Sequence, residues 1–357
     1  MLTIPDLPID SIVNGRYRLK RRIGSGSVSS VYLAADQRDG TDHAIRIISP
    51  EMIGNDPTVA ESFLLLARDA FALCHPNIVS VTDSGLVNNL PFMTLDLVEG
   101  SSLKDTLAIR GPLPPAHALE YLTAIGAGLA SAHAHGVVHG DLKPRNILIQ
   151  KDLPLAHAIK ISDFGLSGLK SGKIESTAQE KSGILRSPLY LAPEEFSEEK
   201  SDVRSDIYSL GVILYQMLAG DVPFKGKSIP AIMKAHLMQS PPRIAGRVPE
   251  ISEEVESVVM HALEKDPANR PATVENFVEE FRQAVRGDAA VDLNRTIVLA
   301  SAYVEAPTEE EMVIEADEPH ELAPSLSAAT QSVLLALGVV LVLALIGFGI
   351  YYSRTSQ

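Results

Sequence analysis

Apolar and polar positions alternate at period two over Tyr17-Arg18-Leu19-Lys20-Arg21-Arg22-Ile23, which predicts a strand with one face toward a core and the other toward water. The run continues into Gly24-Ser25-Gly26-Ser27-Val28-Ser29-Ser30-Val31 and then Tyr32-Leu33-Ala34-Ala35, so this stretch reads as strand, glycine-rich turn, strand. Further apolar runs at His43-Ala44-Ile45-Arg46-Ile47-Ile48 and Phe92-Met93-Thr94-Leu95-Asp96-Leu97 predict more strands, with a helix from about Val59 to Leu73 between them. From residue 103 the period lengthens. Pro115 to Gly136 carries Leu119, Leu122, Ile125, Leu129 and Ala132 at helical spacing and ends on a glycine suited to a C-cap. Asp206 to Tyr215 is apolar on nearly every side, the signature of a buried helix. A small strand-rich part followed by a larger helical part, residues 103–287, predicts an α+β chain with two lobes, preceded by a loose lead-in over residues 1–16.

The pattern changes again after Arg286. Residues 287–332 form an acidic linker, whose stretch from Glu305 to Glu321 carries Glu305, Glu309, Glu310, Glu311, Glu315, Asp317, Glu318 and Glu321 and no Lys or Arg, the composition of a solvated, flexible tether. Residues 333–352 then run without a charge and end in Tyr351-Tyr352. At ~1.5 Å per residue such a helix spans the ~30 Å of a bilayer core, and the tyrosines suit an interface. A transmembrane helix with a short tail, residues 353–357, is therefore expected. The net charge of −14 over 357 residues argues against nucleic-acid binding. The single cysteine, Cys74, excludes an internal disulfide; its neighbours Leu73, His75 and Pro76 predict a buried thiol. Met1 to Asp10 has neither the cationic nor the apolar region of a signal peptide.

Candidate chemistry concentrates in His139-Gly140-Asp141-Leu142-Lys143-Pro144-Arg145-Asn146 and Asp163-Phe164-Gly165. In-line phosphoryl transfer needs an acceptor-orienting carboxylate, cations and metal ligands held at fixed separations, and Asp141, Lys143, Asn146 and Asp163 meet the spacing of that apparatus. Each residue alone could be an N-cap or a surface charge; the joint spacing is what is specific. His133, His135 and His139 lie close together, but no Cys or carboxylate cluster completes a tetrahedral metal site around them.

On these motifs the chain resembles the eukaryotic-like serine/threonine protein kinases, most closely the membrane-anchored bacterial type, from about Tyr17 to about Arg286. The resemblance implies a bilobal kinase fold over residues 17–286 and use of ATP with Mg²⁺. It implies that Gly24 and Gly26 cover the phosphates, that Val31, Ala44 and Leu148 sandwich the adenine, and that the backbone from Asp96 to Val98 faces it behind Leu95. Asn146 and Asp163 would hold Mg²⁺. Asp141 would orient the acceptor hydroxyl, Lys143 would neutralise the γ-phosphate, and His139 would pack beneath Asp163-Phe164-Gly165. Ser187, opening the Ser187-to-Glu194 segment, would set its hydroxyl against Asp141 and Lys143, favouring protein Ser/Thr acceptors, and Glu194 would pair with Arg270. Ser171, Ser176, Thr177 and Ser182 are possible phosphosites.

Several positions depart from the family pattern. Arg46 stands where the family has a strand lysine, Leu66 where a helix glutamate should pair with it, Ser29 at the third glycine, and Gly140 where an arginine would receive a loop phosphate. Glu61 and Asp69, the nearest carboxylates, fall on other faces of the helix. Two functions compete: a membrane-tethered, cytoplasmic-facing Ser/Thr kinase, and a pseudokinase scaffold that binds nucleotide or partners without transfer.

Overall fold

The structure, a computed structural model, describes residues 7–25, 29–49, 57–164, 187–196, 202–248 and 250–287. The segment carrying Gly26, the four phosphosite candidates, the acidic linker from residue 288 on and the expected transmembrane stretch 333–352 lie outside the described residues. Among the described residues no helix is long and apolar enough to cross a membrane.

The small lobe is a six-stranded antiparallel sheet in the order β1-β2-β3-β4-β6-β5. Its strands are β1 (Ile12–Val13), β2 (Tyr17–Ser25), β3 (Ser29–Asp36), β4 (Asp42–Ile48), β5 (Val81–Val87) and β6 (Leu90–Asp96). In β2 the predicted alternation holds at its start, with Tyr17 and Leu19 buried and Arg18 and Lys20 exposed. The lead-in is more ordered than expected: Ile12 and Val13 pair with Arg18 and Tyr17, and Val13 is fully buried beside Tyr17 and Leu19. Burying that valine is what holds the segment to the sheet edge.

Helix α1 (Pro57–Phe71) crosses the sheet, burying Phe63, Ala67 and Ala70 along one face at i, i+4 and i+7. Cys74 follows in the turn and is exposed, correcting the expected burial. Leu73 takes the inward position there, which leaves its neighbour facing out. A short three-stranded sheet, β7 (Gly100–Ser102), β8 (Ile147–Gln150) and β9 (Ile159–Ile161), roofs the large lobe. Val79 N–H donates to the Ile161 carbonyl at 2.9 Å and Ile161 N–H to the Asn77 carbonyl at 2.8 Å, joining the chain after α1 to β9.

The large lobe packs α2 (Leu103–Arg110), α3 (Pro115–Ala134), α4 (Leu155–Ala158), α5 (Val203–Ala219), α6 (Ile229–Met238), α7 (Glu253–Ala262) and α8 (residues 274–287) around one apolar core. As its pattern predicted, α5 is buried on almost all sides. It begins at an Asp202 cap and ends at Gly220, whose φ of 78° suits a residue without a Cβ.

Candidate active site

The catalytic-loop residues are held from below by one buried carboxylate. Asp206, in the first turn of α5, accepts from the backbone N–H of His139 and of Gly140, each at 2.8 Å, and from His133 Nε2 at 2.8 Å. Gly140 sits at φ 66°, a left-handed conformation that glycine adopts without steric cost. His139 is fully buried. Its Nδ1 accepts from Asp141 N–H at 3.2 Å, so the proton sits on Nε2, which donates to the Ser162 carbonyl at 2.9 Å. The ring also lies 4.8 Å from that of Phe164. The expected packing beneath Asp163 is present, and the three histidines serve as hydrogen-bonding groups; among the described residues no His, Cys, Asp and Glu cluster could hold a metal.

On this frame Lys143 Nζ donates to Asp141 Oδ2 at 2.7 Å, and Asn146 Nδ2 donates to the Asp141 carbonyl at 3.0 Å. The Asn146 amide oxygen is left as the atom available to the cleft. Asp163 faces the cleft with φ 71°, an uncommon conformation for a residue with a Cβ, of the kind that clusters at functional sites.

Between the lobes lies a cavity of about 540 Å³, within the range of small-molecule sites. Gly24, Val31, Ala44 and Arg46 form its roof, Asp96 and Val98 its back, and Lys143, Asn146, Leu148 and Asp163 its floor. The cleft therefore gathers residues separated by as many as 140 positions, from Ile23 to Asp163. Asp141 and Ser187 lie outside this lining. Ser187 opens the segment before Glu194, and its carbonyl accepts from Tyr190 N–H at 3.3 Å. At the end of that segment Glu194 receives Arg270 on both oxygens at 2.8 Å, in a buried pair.

Arg46 points into the cleft. Its Nη2 contacts Asp163 Oδ1 in an ion pair and its Nη1 donates to the Ser29 hydroxyl at 3.2 Å. Leu66, in the place of the missing glutamate, packs on the apolar cluster of Ala44, Ile48 and Met93, while Glu61 and Asp69 are exposed. Ser29 and Asp206 are the functional positions whose contacts the sequence did not disclose. Ser29 was visible only as a missing glycine, and Asp206 only as the start of an apolar helix.

Residues 17–281 match the family model described as "Protein kinase domain". The chain is 31% identical to the serine/threonine-protein kinase PknB of Mycolicibacterium smegmatis, over 94% of this chain and 54% of that protein. It is 34% identical to the serine/threonine-protein kinase PrkC of Bacillus subtilis, over 80% of this chain and 43% of that protein. The chain thus spans about half the length of the curated relatives it matches. The crystal structure of the Mycobacterium tuberculosis PknI kinase domain superposes with a TM-score of 0.63 at 24% identity, covering 78% of this chain and 99% of that one, a likeness of fold. The chain belongs to the protein kinase family, as a bacterial-type serine/threonine member with a β-rich small lobe and a helical large lobe.

Proposed function

We propose that this chain transfers the γ-phosphoryl group of ATP to Ser or Thr hydroxyls of proteins, with Arg46 serving as the cation of its small lobe. The observation that carries this reading is that Lys143 and Asn146, both hydrogen-bonded to Asp141 on one loop, line the floor of the cleft together with Asp163. Members of this family use ATP with Mg²⁺. The donor set fits: an amide oxygen from Asn146 and a carboxylate from Asp163 are the hard oxygen ligands that Mg²⁺ takes. These two residues would hold the ion, whose chemistry there is neutralisation of phosphate charge.

The protein's own groups do the rest. Val31 and Ala44 above and Leu148 below present apolar surface to a base, and Asp96 to Val98 offer backbone hydrogen-bonding groups at the back of the cleft. Gly24, with Gly26 beyond it in sequence, lets backbone amides approach phosphate oxygens. Asp141 takes or orients the proton of the acceptor hydroxyl, Lys143 neutralises the transferred group, and Ser187 positions the acceptor segment. The charge-free run over residues 333–352 would tether the domain to a membrane, with ATP supply placing the kinase domain on the cytoplasmic side. The scaffold reading draws support from Arg46 and Leu66 in the sequence, and the kinase names of the matched relatives do not support it.

The test is phosphate transfer from γ-labelled ATP with Mg²⁺ by the full-length chain in detergent, to a generic protein and to itself. Label in the parent that falls by roughly 10²-fold or more in Asp141→Ala is the expected outcome. No label from a parent that still binds nucleotide would overturn the enzyme and leave a nucleotide-binding scaffold.

A further inference from the structure

Arg46 lacks the helix partner that this position ordinarily needs, yet its side chain is not loose. The register pairs Val31 with Arg46 across β3 and β4, which makes Ser29 the diagonal neighbour of Arg46 on the cleft face of the sheet. Diagonal neighbours lie ~7–8 Å apart, a gap that a long side chain bridges. A glycine at 29 would place no acceptor there; the serine hydroxyl takes Arg46 Nη1 at 3.2 Å while Nη2 is held by Asp163. The third guanidinium nitrogen, Nε, is buried and has no hydrogen-bond partner among the described residues. Helix α1 offers it nothing, since Leu66 gives only hydrocarbon and Glu61 and Asp69 point to solvent. The forked guanidinium matters: it reaches two acceptors on separate elements at once, which one ammonium group does less well.

We propose that Ser29 and Asp163 replace the absent helix carboxylate as the anchors of Arg46, so that the cation of this cleft is positioned by the strand leaving the glycine-rich turn and not by helix α1. The departures at 29, 46 and 66 are then one coupled change. Regulation by moving α1 toward or away from the cation has no charge to act on, and the start of β3 takes over the coupling to Asp163. The proposal deepens the kinase reading, but its primary test needs no nucleotide.

That test is a double-mutant cycle in urea unfolding of the full-length chain in detergent, without nucleotide. Ser29→Ala lowers the folding constant roughly five-fold in the parent, about 1 kcal/mol, and leaves it unchanged in an Arg46→Met background; Ser29→Thr keeps the parental value. Leu66→Ala has the same effect with and without Arg46→Met. If Arg46→Met does not fold, Arg46→Lys replaces it, because an ammonium keeps Asp163 and gives up Ser29. Equal effects of Ser29→Ala in both backgrounds, or a Leu66→Ala effect that depends on Arg46, overturn the proposal. In a second arm a fluorescent ADP analogue with Mg²⁺ binds Ser29→Ala roughly five-fold more weakly than the parent and Ser29→Thr as tightly; equal affinity in Ser29→Ala counts against the anchor. A parent that binds no analogue defeats the kinase reading alone, and the urea cycle still decides the anchor.

Discussion

Asp206→Asn probes the frame beneath the catalytic loop. The carboxylate is 1% exposed; Oδ2 accepts from His133 and from His139 N–H, and Oδ1 from Gly140 N–H. An asparagine can keep its oxygen toward His133 and His139, but its NH₂ then faces the Gly140 N–H. One hydrogen bond to a charged group, about 1.5–3 kcal/mol, is lost, and a buried donor is left unsatisfied at about 1–3 kcal/mol. The sum, roughly 2.5–6 kcal/mol, is a large share of the ~5–15 kcal/mol that holds a domain together. Urea unfolding of the parent and the variant in detergent measures it, and amide exchange at Gly140 localises it, with that amide among the first to lose protection. Labelled-ATP transfer should fall more steeply than nucleotide affinity, because the loop orients Asp141 and Lys143 while the roof of the cleft is untouched. A loss below about 1 kcal/mol with Gly140 still protected would refute the reasoning.

Arg270→Met strands the buried Glu194 carboxylate and should cost about 3–5 kcal/mol in urea unfolding, with part recovered in the Glu194→Gln/Arg270→Met double variant. Burial raises the Glu194 pKa, but the hydrogen bonds and charge of Arg270 outweigh it and hold the group below its ordinary value of 4.5. Its stabilising contribution is therefore complete above that value and is lost as pH falls through the depressed one, so Glu194→Gln should flatten the acid limb of a stability-against-pH curve. Lys265 acts with the same sign in an alkaline window. Its Nζ is buried without a hydrogen bond among the described residues, 4.1 Å from the Phe224 ring centre, and burial followed by the Arg270 charge pushes its ammonium from 10.5 down to about 8. Between those values the unfolded chain holds more protons, so stability should rise with pH across the window in the parent and less so in Lys265→Met, followed by urea midpoints from pH 7.5 to 10.5, a range set around that depressed value. Ala44→Phe should weaken nucleotide binding at least tenfold, about 1.4 kcal/mol, by filling the roof of the cleft, measured by titration with the fluorescent analogue.

What could be read from the sequence follows from how local the cause is. The loop from His139 to Asn146 was legible because its spacing is short and each residue type is demanded by one chemical task. The helix at 206–215 was legible because burial on all sides leaves no polar stripe. Leu66 could be found by counting, since a helix position follows from its neighbours. The contact between Arg46 and Ser29 could not, because it depends on a register that pairs residue 31 with residue 46. Asp206 escaped for a similar reason: its partners at 139 and 140 are 67 and 66 residues away. Cys74 was misread because apolar neighbours in sequence do not fix which way a turn residue faces, and the edge strand at Ile12 and Val13 was missed because two residues are too few to show an alternation.

The exposed Cys74 gives the molecule a built-in spectroscopic address. With one cysteine in 357 residues, a maleimide dye or spin label attaches at a single point without any prior substitution. That point lies just after α1 and three residues before Asn77, where the chain turns to meet β9. A reporter there views the junction between the small lobe and the roof of the large one, and nucleotide-dependent rearrangement becomes a change in emission or line shape of the otherwise native chain.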